Sequence, residues 1–369
     1  MILEGARLFD GVKLHAGGSV HIKDGRISGL DFAKGIDLGG GYLCPGYVDL
    51  QVNGGGGVML NEAPTAQTLA TMSEAHAQLG ATTLLPTLIT APLEVFQATV
   101  NAFEEARKQG VRGLAGLHIE GPHITRAGAH DLSLLRPLTE VEISLYAHAA
   151  RIVGHLKLTL APELVRPDQI AELRAGGVQV FLGHTDADYD TCCAASEAGA
   201  EGFTHLFNAM SGLSHRAPGC VGAALNDPTM SAGLIADGVH VHPDLLAMVW
   251  RAKAGEDRLF LVSDAMAVAG TLDQSFTLNG RTVLRRNGCL TLEDGTLAGA
   301  DLDLSAAIRN MVRSGVPLSD AFAMATRVPA DLIGRTDIGR IEVGARADLV
   351  HLSDDLELLG VWREGEQVL

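Results

Sequence analysis

Four side chains able to ligate a cation or carry a proton sit in or close short apolar runs. Glu120 ends Gly-Leu-His-Ile-Glu, His184 ends Val-Phe-Leu-Gly-His, His205 lies in Gly-Phe-Thr-His-Leu, and Asp264 ends Leu-Val-Ser-Asp. Divalent ions accept imidazole nitrogen and carboxylate oxygen, and a catalytic site ordinarily offers about three protein ligands with a position left for water. Glu120, His184 and His205 supply that number. Asp264 is the candidate proton carrier, because a carboxylate beside an activated water can take its proton and return it to a leaving group. A single strand-end histidine would be an ordinary hydrogen-bonded residue, and a lone strand-end aspartate an ordinary turn residue. The chemical reading therefore depends on the four runs converging.

Eight short apolar runs can be counted: Tyr47 to Val52, Thr82 to Thr87, Gly113 to Ile119, Leu156 to Leu160, Val178 to Gly183, Gly202 to Leu206, Ala232 to Ala236 and Leu259 to Ser263. Stretches of helical spacing lie between them, among them Gln67 to Gln78, Glu94 to Lys108, Asp168 to Arg174, Tyr189 to Ala198 and Pro243 to Ala252. Alternating strand and helix predict an α/β chain folded as a parallel (β/α)8 barrel, whose strand ends would gather the four residues on one face. The segment Phe207 to Thr229, rich in Gly, Pro, Ser and Asn, shows no helical period and reads as a functional loop. Both chain ends have β texture, with Lys23-Asp24-Gly25 as a hairpin signal. We expect a small β-sandwich domain from residues 1–44 and 338–369 around a barrel of residues 45–337.

Composition narrows the partners. A chain of 369 residues with 47% hydrophobic residues and a mean hydropathy of +0.18 can bury a large core. A formal net charge of −16 repels nucleic acid and anionic lipid, so an anionic small substrate requires a local positive site. Five cysteines without a Cys-x-x-Cys argue against a disulfide framework or a structural zinc cluster and point to a reducing cytoplasm. The amino terminus does not read as a signal peptide, and the most apolar stretch, Leu79 to Leu93, is interrupted by Gly80, Pro86 and Pro92, so no membrane segment is expected.

Several segments taken together carry a family resemblance: Pro45 to Gly54, Gly116-Leu117-His118-Ile119-Glu120-Gly121-Pro122, Leu160-Ala161-Pro162-Glu163, Gly183-His184-Thr185, Thr204-His205-Leu206-Phe207-Asn208-Ala209-Met210 and Ile235 to His240. They resemble the N-acetylglucosamine-6-phosphate deacetylases of the amidohydrolase superfamily, over nearly the whole chain. Leu-Ala-Pro-Glu alone is weak, whereas Thr-His-Leu-Phe-Asn-Ala-Met together with His-Ile-Glu-Gly-Pro is highly specific.

The resemblance implies that Glu120, His184 and His205 hold the metal and that Asp264 is the acid/base. Many amidohydrolases carry His-x-His on the first strand for a second ion, where this chain has Gln51-Val52-Asn53. Amides are poor ligands for divalent metals, so one ion per subunit is expected, zinc first, with iron, manganese and cobalt as alternatives. Gln51 and Asn53 would otherwise serve to satisfy backbone groups beside the glycine run. For substrate, the resemblance implies Arg216 and His240 as phosphate donors, with Ala129, His130, Asn208, Ala209, Leu297, Ala298 and Gly299 contacting sugar or phosphate. Ala300 stands where the family usually has serine. Family members commonly form homodimers in which the neighbouring subunit helps to close the phosphate site.

The expected reaction is hydrolysis of the acetamide of an amino-sugar phosphate, N-acetyl-D-glucosamine 6-phosphate. Two alternatives remain: an amidohydrolase acting on another N-acyl or cyclic amide, and a noncatalytic barrel scaffold, which would have lost its ligands.

Overall fold

The computed structural model describes all 369 residues. At its centre lie eight parallel barrel strands: β1 (Tyr47–Val52), β2 (Ala81–Ile89), β3 (Leu117–Glu120), β4 (Leu156–Leu160), β5 (Val178–Leu182), β6 (Gly202–Phe203), β7 (Ser231–Leu234) and β8 (Leu259–Leu261). They pair in sequence order from β1 to β8. The ring is closed just beyond the strand ends, where Asp264 N–H donates to the Gln51 carbonyl at 3.1 Å and Asn53 N–H to the Ala265 carbonyl at 2.9 Å. These strands are buried along their whole length, and their runs of Leu, Val, Ile and Phe answer that environment on both faces.

Helices pack outside the ring. Ala66–Gln78 starts at Thr65, whose hydroxyl accepts from Thr68 N–H, and Glu140–Val153 starts with a reciprocal Thr139–Glu142 capping box. One continuous core of 83 buried residues joins these helices to the barrel. No helix is long and apolar enough to cross a membrane.

Strands from both chain ends share one six-stranded sheet in the order Glu366–Gln367, Leu358–Arg363, Leu349–Leu352, Tyr42–Pro45, Arg7–Phe9 and Leu14–His15. A four-stranded sheet, ordered Arg26–Asp31, Ser19–Lys23, Ile2–Glu4 and Ile36–Asp37, packs with it around a separate small core that includes Leu3, Val20, Leu349 and Trp362. Asp24 and Gly25 turn the hairpin with φ of 50° and 73°, as the Asp-Gly step predicts.

Two features depart from the sequence reading. Gly219–Asn226, inside the expected loop, is a helix; all eight of its residues but Asn226 are buried, so it shows no polar face and no helical period. An antiparallel sheet of Ser275–Leu278, Arg281–Arg286, Cys289–Leu292 and Leu297–Ala300 follows β8. Its three turns contain Asn279-Gly280, Asn287-Gly288 and Asp294-Gly295, which are hairpin signals present in the chain.

Candidate active site

Glu120 is the last residue of β3, His184 follows β5 by two residues, His205 follows β6 by two, and Asp264 lies three beyond β8. The last three adopt left-handed backbone, with φ of 51°, 33° and 51°. Such a conformation costs a non-glycine residue on the order of 1–2 kcal/mol. Here it accompanies an abrupt end to each strand, with the side chain at the barrel mouth.

Ligating atoms of Glu120, His184 and His205 all lie within 4.8 Å of one another. His205 Nε2 is 3.0 Å from Glu120 Oε1 and 3.0 Å from His184 Nε2. His184 Nδ1 is 2.6 Å from the Arg126 carbonyl, which can only accept, so Nδ1 carries a proton and Nε2 faces the cluster, where it can offer its lone pair to an ion. Three buried donors with a carbonyl-fixed tautomer fit a divalent ion of the zinc type. Burial alone would raise the Glu120 carboxyl, but bonds and attraction from His184 and His205 hold it well below the usual range. Burial opposes a charged His184, and Glu120 outweighs it, raising that imidazole.

Gln51 and Asn53 do more than satisfy the backbone. Gln51 Nε2 donates to Glu120 Oε1 at 3.2 Å and to Asp264 Oδ1 at 3.1 Å, while Asn53 Nδ2 donates to the same Asp264 oxygen at 2.7 Å. The two amides thus orient Asp264 beside the donor cluster. Burial, then repulsion from Glu120, raises the Asp264 carboxyl above its ordinary value, a direction that suits a group that must hold and release a proton.

Above these groups opens a pocket of about 410 Å³, within the range of small-molecule sites. Its lining includes Ala129, His130, Asn208, Ala209, His240, Leu297 and Gly299 together with Glu120, His184, His205 and Asp264. His130 Nδ1 pairs with Thr90 Oγ1 at 2.8 Å, and burial followed by repulsion from His184 pushes its pKa down to about 3, so it is a neutral hydrogen-bonding ring. His240 is the opposite case: burial opposes its charge, but Asp237, 2.6 Å away, raises its pKa and favours the imidazolium form.

Two expected substrate residues are not among the lining residues. Ala298 is fully buried behind Leu297 and Gly299, and Arg216 is exposed on its loop. The pocket does hold one arginine outside the expected substrate set. Arg126 is the only Lys or Arg in the lining, with its Nε 2.8 Å from Asp186 and Nη1 donating to the Met210 carbonyl. Its signal was an arginine two residues before Gly128, in a loop already marked by Ala129 and His130.

A model of the amidohydrolase family matches residues 42–368. The chain therefore belongs to the amidohydrolase family. Among its relatives, the chain is 42% identical to an N-acetylgalactosamine-6-phosphate deacetylase of Shewanella sp. (strain ANA-3), covering 99% of this chain and 95% of the relative. It is 36% identical to an N-acetylglucosamine-6-phosphate deacetylase of Vibrio furnissii, over 94% of this chain and 89% of that one. The crystal structure of N-acetylglucosamine-6-phosphate deacetylase from Pasteurella multocida superposes with a TM-score of 0.94 at 34% identity, covering 99% and 98% of the two chains.

Proposed function

We propose that this protein is a metal-dependent deacetylase that hydrolyses the acetamide of N-acetyl-D-glucosamine 6-phosphate to D-glucosamine 6-phosphate and acetate. The observation that carries the reading is the convergence of Glu120, His184 and His205 within 4.8 Å beneath a pocket of about 410 Å³, with Asp264 tethered alongside. One divalent ion per subunit, zinc first, would be held by those three residues and, when bound, supplies an activated water and polarises the acetyl oxygen. Asp264 accepts the proton of the attacking water and delivers it to the departing amine nitrogen, which must leave as a neutral amine. Gln51 and Asn53 hold Asp264 in place for both transfers. Neutral His130 and the backbone around Asn208 and Ala209 serve the sugar hydroxyls. His240, whose protonation Asp237 favours, marks the phosphate end of the pocket together with Arg126.

Arg216, exposed and outside its own pocket, fits the expected homodimer, in which a second copy brings it to the phosphate. An Arg216→Ala chain mixed with a Glu120→Ala chain should then recover activity that neither has alone. The protein is taken to work in the cytoplasm, as the cysteine usage suggests.

The C4 epimer is the second reading, favoured by the 42% identity to an N-acetylgalactosamine-6-phosphate deacetylase. Acetate release from both sugar phosphates, measured with chelator-stripped enzyme and after return of zinc, iron, manganese or cobalt, tests the proposal. Absence of acetate from either sugar with every metal would reject it, and the ratio of kcat/KM values assigns the epimer.

A further inference from the structure

Beneath the donor cluster lies a cation that the reaction outlined above does not use. Lys157, on β4, is fully buried inside the barrel. Its ammonium has one hydrogen-bond partner, the Leu50 carbonyl at 3.5 Å, and stands over the rings of Phe181 and Phe260 at 4.6 and 5.9 Å. No carboxylate lies within ion-pair distance of it. In register Lys157 is opposite His118, and Glu120 is two residues further up the neighbouring strand, so the lysine sits one inward-facing layer below the Glu120 carboxylate. Its charge interacts across this layer with Glu120, Asp49 and Asp264.

A desolvated ammonium with so few donors satisfied is costly, and its persistence needs a compensating field. Glu120, whose carboxyl is held well below the usual range, provides the main part of one, while burial raises both Asp49 and Asp264 and so weakens their share. With Gln51 and Asn53 neutral, Lys157 is the only lysine or arginine among these groups.

We propose that Lys157 is a positioning residue for the charge of the active centre: a buried ammonium that opposes metal capture at Glu120, His184 and His205 while favouring the negative charge that develops above it during amide hydrolysis. It takes the share of charge balance that a further metal ion would otherwise carry, and so helps to keep the centre at one ion. The inference rests on the metal-site reading above.

The opposed signs make it testable. Wild-type, Lys157→Met, Lys157→Gln and Lys157→Arg holoenzymes are equilibrated against graded chelator, retained metal is measured by mass spectrometry, and kcat/KM is measured at full metal occupancy. Both neutral variants should hold metal about tenfold more tightly and turn over about tenfold more slowly, the size expected of one unit charge acting through a partly screened interior. Lys157→Arg should stay near wild type in metal retention. Gln keeps a donor for the Leu50 carbonyl, so it carries the test if Met does not fold. Metal retention that is unchanged or weaker in a folded neutral variant overturns the proposal, since loss of a merely structural residue would loosen the site. Failure of the wild-type enzyme to retain any metal would instead sink the metal-site reading itself.

Discussion

Lys157 under the barrel mouth and Arg363 at the junction of the chain-end sheet with the barrel are both fully buried cations, yet they are held in opposite ways. Arg363 Nη1 donates to the Ser73 carbonyl at 3.3 Å and its hydroxyl at 3.1 Å, and Nη2 pairs with the Glu74 carboxylate. These bonds tie the strand Leu358–Arg363 to the helix Ala66–Gln78. Lys157 has one long bond and an aromatic cage. The junction meets its cation with a carboxylate and two oxygens of Ser73, leaving only Nε unpaired; the mouth leaves its cation to act through the field. Buried polar atoms without partners occur in both regions: Gln51 Oε1, Asn53 Oδ1 and His205 Nδ1 at the mouth, and Trp362 Nε1 and Arg363 Nε at the junction.

If that division is right, changes at the mouth should destroy turnover and spare the fold. Glu120→Ala should lose metal and reduce kcat/KM by at least about 10⁴, with the far-UV spectrum unchanged. Asp264→Asn should keep its metal, read by elemental analysis, while kcat drops by about 10³ because only the proton path is removed. Turnover near wild type in that variant would remove Asp264 from its assigned role.

Changes at the junction should do the reverse. Arg363→Met loses the bonds to Ser73 and to the exposed Glu74 carboxylate and should cost about 1–2 kcal/mol in urea unfolding, with turnover per folded, metal-loaded molecule preserved. A comparable loss of kcat would mean that the two regions are not separable.

A pH series on metal-free protein sharpens the comparison further. Burial pushes the Lys157 ammonium down to about 8 from 10.5. Between those values the unfolded lysine binds more protons than the folded one, so its contribution to stability improves as pH rises, and the full cost is present below about 8. Lys157→Met should thus be stabilised relative to wild type at pH 7, and the difference should shrink between pH 8 and 10.5. The smallest effect belongs to the rim of the junction, where Arg112 meets Glu366 at 2.7 Å in solvent. Glu366→Ala should change stability by less than about 1 kcal/mol.

Much of this architecture was legible in the chain. Alternating apolar runs and helical stretches signal parallel strands, and Glu120, His184 and Asp264 each terminate such a run. Arg126 escaped because a rim arginine reads as an ordinary surface residue until a pocket is formed beside it. Lys157 escaped because a lysine inside Leu-Lys-Leu-Thr-Leu looks like the solvent face of an alternating strand. The extra sheet after β8 is signalled only by its Asn-Gly and Asp-Gly steps, which mark turns without saying which strands they join.

By itself the sequence determined what depends on short range: which segments are strands, where they stop, and which residue types stand at the stops. Only the tertiary structure decided what depends on closure of the ring. It brought Gln51 and Asn53 against Asp264 across more than two hundred residues, as sequence separations of 213 and 211 record. It turned His184 by a hydrogen bond to a carbonyl 58 residues away. It placed Lys157 on the inside of β4, and it left Arg216 outside its own pocket. Local spacing fixes the direction of a side chain relative to its own strand; which charge, carbonyl or orphaned amide it then faces is set by neighbours that only the folded barrel supplies.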